Sequence, residues 1–157
     1  MRGMARKRYI KQSEIPAPPE EVFAWHEEPG AVERLTPPWE RVESLERADS
    51  LRVGARVVFK VFTGPISRVW VAEHTEYEPP YLFADVQREG PFSYWYHRHR
   101  FERTERNTTR MTDEIEYELP LGWLGEIVGG GFTRAKLRRM FEYRHRVVAE
   151  AFEKKRG

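Results

Sequence analysis

The chain has 157 residues, of which 39% are hydrophobic and 13% aromatic, enough to fill the core of one domain. Charged residues make up 33%, with 27 basic side chains against 25 acidic, a balance that argues for neither disorder nor a nucleic-acid coat. Cysteine is absent, which excludes disulfide scaffolds, thiol nucleophiles and zinc sites built on thiolates.

At the N-terminus the basic residues 1–8 lead into Tyr9-Ile10-Lys11-Gln12 rather than an apolar stretch. No signal peptide is therefore expected, and a cytoplasmic protein is. Residues 7–14 read as a short extended segment. Pro19 then suits the first turn of a helix, where Glu20 and Glu21 favour the positive end of the dipole. Val22, Phe23 and Trp25 or His26 give that helix an apolar face before Pro29-Gly30 breaks it. A second short helix, Ala31–Leu35, stops at Thr36-Pro37-Pro38, because residues preceding proline avoid the helical region.

The middle of the chain reads as strands: residues 39–46, 56–63, 67–77, 81–88, 93–103 and 109–119. Their separators are rich in glycine and proline, and Glu105-Arg106-Asn107 makes a hairpin connection. Such regular punctuation predicts an antiparallel meander. No window approaches the ~18 apolar residues of a membrane span. After Pro120-Leu121-Gly122 and the run Gly129-Gly130-Gly131, residues 133–155 contain neither proline nor glycine. Leu137, Met140, Phe141, Val147, Val148, Ala151 and Phe152 recur there at helical spacing. This predicts a long amphipathic helix capped by Thr133, with the glycine run as a hinge. Residues 134–156 hold nine Lys or Arg and three Glu, a basic cluster best read as a solvated helix face rather than a nucleic-acid surface.

The expected fold is α+β: one domain over residues 1–157, with its core at about 9–152. A curved antiparallel sheet of about seven strands wraps around the long C-terminal helix, and two short helices follow the first strand. That arrangement leaves a cavity between helix and sheet.

Several segments sharpen this expectation: Ile15-Pro16-Ala17-Pro18-Pro19-Glu20-Glu21-Val22-Phe23, Leu35-Thr36-Pro37-Pro38-Trp39, Trp70-Val71-Ala72-Glu73-His74, Gly90-Pro91-Phe92, Glu116-Tyr117-Glu118-Leu119-Pro120-Leu121-Gly122 and Met140-Phe141-Glu142-Tyr143-Arg144-His145. With these the chain resembles the START-like, or Bet v 1-like, superfamily, and within it the ligand-binding SRPBCC domains termed polyketide cyclase-like. The resemblance spans nearly the whole chain and implies a helix-grip fold with an internal ligand cavity. It implies no single reaction, since one fold serves many functions. Relatives also carry the labels CDP-paratose 2-epimerase-like and cell division inhibitor-like. The epimerase label is not expected to apply, because the sequence has no dinucleotide-binding half.

Strand alternation selects the chemical candidates. In residues 109–119, Met111, Asp113, Ile115, Tyr117 and Leu119 share the core face, so Asp113 is a carboxylate on an apolar face. A buried carboxylate needs a partner or must stay protonated. In residues 93–103, Trp95, His97, His99 and Phe101 share one face while Tyr94, Tyr96, Arg98 and Arg100 share the other, and parity alone does not choose between them. Trp70, Ala72 and His74 lie together on one strand, Phe83 and Asp85 on another, and Arg144 and His145 lie near the apolar stripe of the helix.

These residues predict a cavity that binds a small organic ligand with anionic or aromatic groups. Its lining is Trp70, His74, Phe83, Asp85, Trp95, His97, His99, Asp113, Tyr117, Phe141 and Arg144. An alternative is an acid/base enzyme of cyclase, dehydratase or isomerase type. There His97 or His99 transfers protons, Asp113 orients it and Arg144 holds the ligand's charge. His74, His97, His99, Asp85 and Asp113 are of metal-ligating type, but no spacing fixes their geometry, so neither metal nor cofactor is expected. The expected partner is a small molecule, with no nucleic acid and no membrane span; the sequence assigns no oligomeric state.

Overall fold

The computed structural model describes residues 6–156, apart from the side chains at positions 122–124 and 126. The elements follow the order β1 (Lys7–Ile15), α1 (Pro19–Glu27), α2 (Ala31–Leu35), β2 (Val42–Glu46), β3 (Arg56–Thr63), β4 (Ile66–Glu78), β5 (Leu82–Glu89), β6 (Tyr94–Arg103), β7 (Thr109–Glu118) and α3 (Gly122–Arg156). All seven strands form one antiparallel sheet in the order β1-β7-β6-β5-β4-β3-β2. The chain thus closes the meander by returning β7 beside β1, and α3 lies across the inner face.

Two departures from the sequence expectation have clear causes. Residues 39–41 lie outside β2, and Trp39 instead packs edge-on against Tyr143 of α3, with ring centroids 5.3 Å apart. The long helix also begins at Gly122, so Thr133 lies in its interior and caps nothing, and the run Gly129–131 is helical rather than a hinge. Leu121, at φ +65°, turns the chain out of the strand direction immediately before the helix. Glycine weakens a helix by about 1 kcal/mol per residue but does not forbid it as proline does.

Inward-facing positions of the strands pack into two apolar clusters. One gathers Ile15, Val22, Phe23, Trp25, Phe83, Phe101, Met111, Val148 and Phe152. The other gathers Trp95, Ile115, Tyr117, Leu119, Leu137 and Phe141, with Tyr9, Trp70, Phe92 and Met140 at its margin. On β4 an extra residue, Thr75, opposes no partner: His74 pairs with Asp85 and Glu76 with Ala84. This bulge changes the phase of the strand, so that Trp70 and His74 face the interior before it and Tyr77 after it.

Candidate functional site

The register brings the polar candidates together. His99 lies directly opposite Asp113, and His97 lies opposite Asp85, all on the inner face of three adjacent strands. The Trp95–Phe101 face of β6, left open by alternation, is therefore the inner one: Trp95, His97 and Phe101 are all buried. Asp113 sits at the centre, 7% exposed.

Its carboxylate receives donors from two sides. His97 Nε2 donates to Oδ1 at 2.6 Å, and His145 Nε2, projecting from α3, donates to Oδ2 at 2.6 Å. His99 Nδ1 lies 3.1 Å from the same Oδ1, and His99 Nε2 donates to Asp85 Oδ2 at 3.1 Å. His145 keeps Nδ1 as an acceptor for the Ser13 hydroxyl of β1, at 2.5 Å. A chain of hydrogen bonds, closed between Asp113 and His99 by an ion-pair contact, thus runs from Ser13 through His145, Asp113 and His99 to Asp85, with His97 as a branch.

Burial and pairing oppose each other at Asp113, Asp85, His99 and His97. Burial alone raises the Asp113 carboxyl, but hydrogen bonds from His145, His97 and His99 outweigh it and hold the group well below the usual carboxylate range. Asp85 follows the same pattern: burial raises it, and the hydrogen bond from His99 brings it lower. Burial lowers His99, yet its bonds to Asp113 and Asp85 leave it raised. His97 is lowered, by burial and then by the neighbouring His99. His99, held between two carboxylates, and His97 are thus shifted in opposite directions, with ring centroids 3.7 Å apart.

The polar layer is clamped between the apolar clusters. Phe83 stacks on His99 at 4.0 Å, and Phe141 meets His97 edge-on at 5.2 Å. Trp70 and Trp95 pack at 5.1 Å, and Phe92 lies 5.9 Å from Tyr117. Of the aromatic residues expected to share one lining, Trp70, Trp95, Tyr117 and Phe141 lie together, while Phe83 lies across the histidines in the other cluster. His74 is buried, and its Nδ1 has no hydrogen-bond partner. Arg144 donates from Nε to the carbonyl of Leu35 at the end of α2, at 3.2 Å, and its guanidinium lies 5.1 Å from the Phe141 ring. Burial lowers its pKa, while Asp113 and Asp85 draw it back up.

Two clefts open elsewhere on the surface. One, of about 400 Å³, is bordered by Glu78, Tyr81, Leu82, Arg100, Phe101, Glu102 and Arg103. The other, of about 350 Å³, lies between the start of α1 and the end of α3. Neither contains a member of the polar chain.

Two members of that chain were not among the expected site residues. His145 was visible beside the helical stripe, but its rotation toward Asp113 depends on how α3 docks. Ser13 is an inward position of β1, opposite Met111, and an isolated serine in an alternating strand carries no signal of its own.

A curved seven-stranded antiparallel sheet gripping one long C-terminal helix, with two short helices after the first strand, is the helix-grip fold of Bet v 1-like proteins. The chain belongs to the family described as polyketide cyclase/dehydrase and lipid transport, whose family model matches residues 15–141. It is similar in structure to a nucleoside-diphosphate sugar epimerase from Corynebacterium glutamicum, at 28% identity and a TM-score of 0.72. That match covers 90% of this chain but 28% of the epimerase chain. A point mutant of norcoclaurine synthase from Thalictrum, in complex with a transition-state analogue, matches over 100% of both chains at 15% identity and a TM-score of 0.72. The protein TTHA0849 from Thermus thermophilus matches at 20% identity and a TM-score of 0.65, over 92% of this chain and 99% of that one. No curated protein matches the chain. Among the described residues, no helix is long and apolar enough to cross a membrane.

Proposed function

We propose that the protein binds a small organic molecule between the sheet and α3, with aromatic rings holding its body and the His97–His99–Asp113–Asp85 layer reading its polar groups. The observation that carries this reading is Asp113, a buried carboxylate given three histidine neighbours in the middle of an apolar interior. Packing alone has no use for so costly an arrangement. The family description, with its cyclases and lipid carriers, supports it. Trp70 and Phe92, at the margin of the second cluster, are the rings that move to admit a ligand, exposing a pocket that the ligand itself stabilises.

The acid/base alternative rests on the hydrogen-bonded chain. Ser13, His145 and Asp113 stand in the order hydroxyl, imidazole, carboxylate, an order that lets an imidazole take a proton while the carboxylate fixes its tautomer.

Native mass spectrometry of the purified protein, with titration of an anionic aromatic fluorophore, tests the binding reading. A co-purified mass or saturable fluorescence is expected. Ala72→Trp, which enlarges a buried inward position between Trp70 and His74, is expected to abolish it while the fold persists. Absence of both signals from the wild-type protein would reject the proposal.

A further inference from the structure

We infer that Asp85, His97 and His99 form a binding site for a divalent first-row transition metal, with Asp113 as the carboxylate that orients the two imidazoles. One donor atom from each of the three lies within 4.8 Å of the other two, on two adjacent strands. Rigid β-strands hold such donors better than loops do, and side-chain rotations that draw them together would let them share one ion with bonds of about 2.0–2.2 Å.

The surroundings already have the form that metal-bound histidines take. A ligating imidazole usually gives its second N–H to a carboxylate, which fixes the tautomer and raises the basicity of the ligand nitrogen. His99 does this: Nδ1 meets Asp113 while Nε2 faces Asp85, so an ion there takes the place of the proton now shared between His99 and Asp85. His97 also commits Nε2 to Asp113, which leaves Nδ1 with its lone pair. The Asp85 and His99 side chains are each 16% exposed, which gives an ion a route from solvent. His74, 6% exposed, stands opposite Asp85 on β4 with an Nδ1 that has no hydrogen-bond partner, and it is the side chain available for a fourth position.

Two imidazoles and one carboxylate favour zinc and its first-row neighbours over calcium or magnesium, which prefer all-oxygen shells. The site lies in the polar layer of the proposed ligand pocket, but it is tested with the metal alone, so the two readings fail separately.

The untagged full-length chain, stripped with chelator, is titrated with Co2+ while visible absorption is recorded, then with Zn2+ in competition. One ion per chain is expected, with d–d bands that Zn2+ abolishes. Asp85→Asn and His99→Gln are each expected to weaken binding at least tenfold while the far-ultraviolet circular dichroism stays native, and Asp113→Asn by 10–100-fold. His26→Gln, outside the cluster, should bind as wild type. Should the cluster variants unfold, long-range 1H–15N imidazole spectra of the wild-type protein decide: Zn2+ should move the ring nitrogens of His97 and His99 and leave those of His26. No binding at millimolar Co2+, binding indifferent to Asp85→Asn and His99→Gln, or unmoved His97 and His99 nitrogens would each overturn the inference.

Discussion

Asp113 organises the interior because three histidines share one carboxylate. Replacing that carboxylate with an amide sets an NH2 donor against the Nε2 of either His97 or His145, both of which already donate, and leaves His99 without one of its two counter-charges. Asp113→Asn is therefore expected to lower stability by about 3 kcal/mol, the scale for breaking a buried charged pair, read from urea unfolding. Unchanged or increased stability, with ligand binding lost, would mark the carboxylate as held for the ligand instead. The anomaly at Asp113 was legible in the sequence because its strand alternates so regularly. Its partners were only half legible, since the inner face of β6 and the rotation of α3 are settled by docking rather than by period.

His26 adds a pH dependence of its own. Its Nδ1 donates to the Val22 carbonyl at 2.8 Å, and Trp25, Phe83 and Phe101 surround the ring. Burial lowers its pKa to about 4. Between pH 6.5 and 4 the unfolded chain holds a proton there that the folded chain refuses, so stability is lost as the pH falls through this window. Going from pH 7 to pH 5, this group alone is expected to cost about 2 kcal/mol. Denaturant unfolding at the two pH values checks it, and His26→Gln should flatten the slope.

Among the elements, the strands were well marked by their glycine and proline separators, and Arg56–Thr63 and Ala31–Leu35 coincide with the expected ranges. The start of α3 was hidden, because three successive glycines read as a break when only propensity is weighed. Tertiary placement overrode that preference. A methyl group added at Gly129 or Gly131 meets nothing within 4 Å, so Gly129→Ala and Gly131→Ala should each raise stability by up to about 1 kcal/mol. At Gly125 the same methyl group would run into the Pro120 carbonyl, so Gly125→Ala should disturb the first turn of the helix and lower the melting temperature. A hinge at residues 129–131 would give the opposite sign at the first two positions.

Across the whole molecule the sheet is unevenly anchored. All five residues of β2 are exposed at the sheet edge, whereas β7 lies between β1 and β6 and carries Met111, Asp113, Ile115 and Tyr117 into the interior. Hydrogen exchange should therefore release β2 amides through local opening and β7 amides only through global unfolding. Comparable protection in β2 and β7 would contradict this gradient. The helix-grip plan was readable from element order alone. The division of the interior into two aromatic clusters was not, because it depends on which rings the register sets opposite the histidines.

The single extra residue in β4 makes the inner surface sensitive to strand register as well as to side-chain chemistry. Thr75 acts as a half-step: upstream of it the strand presents Trp70 and His74 to one lining, and downstream it presents Tyr77 to Phe23 in the other. Without that half-step, strict alternation from His74 would turn Glu76, now paired outside with Tyr96 and Arg98, toward the phenyl rings in place of Tyr77. Point substitutions along β4 exchange one side chain at a time. Drawing Thr75 into the ladder would exchange an aromatic wall for an acid, so the compartment rests on this bulge as much as on the residues that line it.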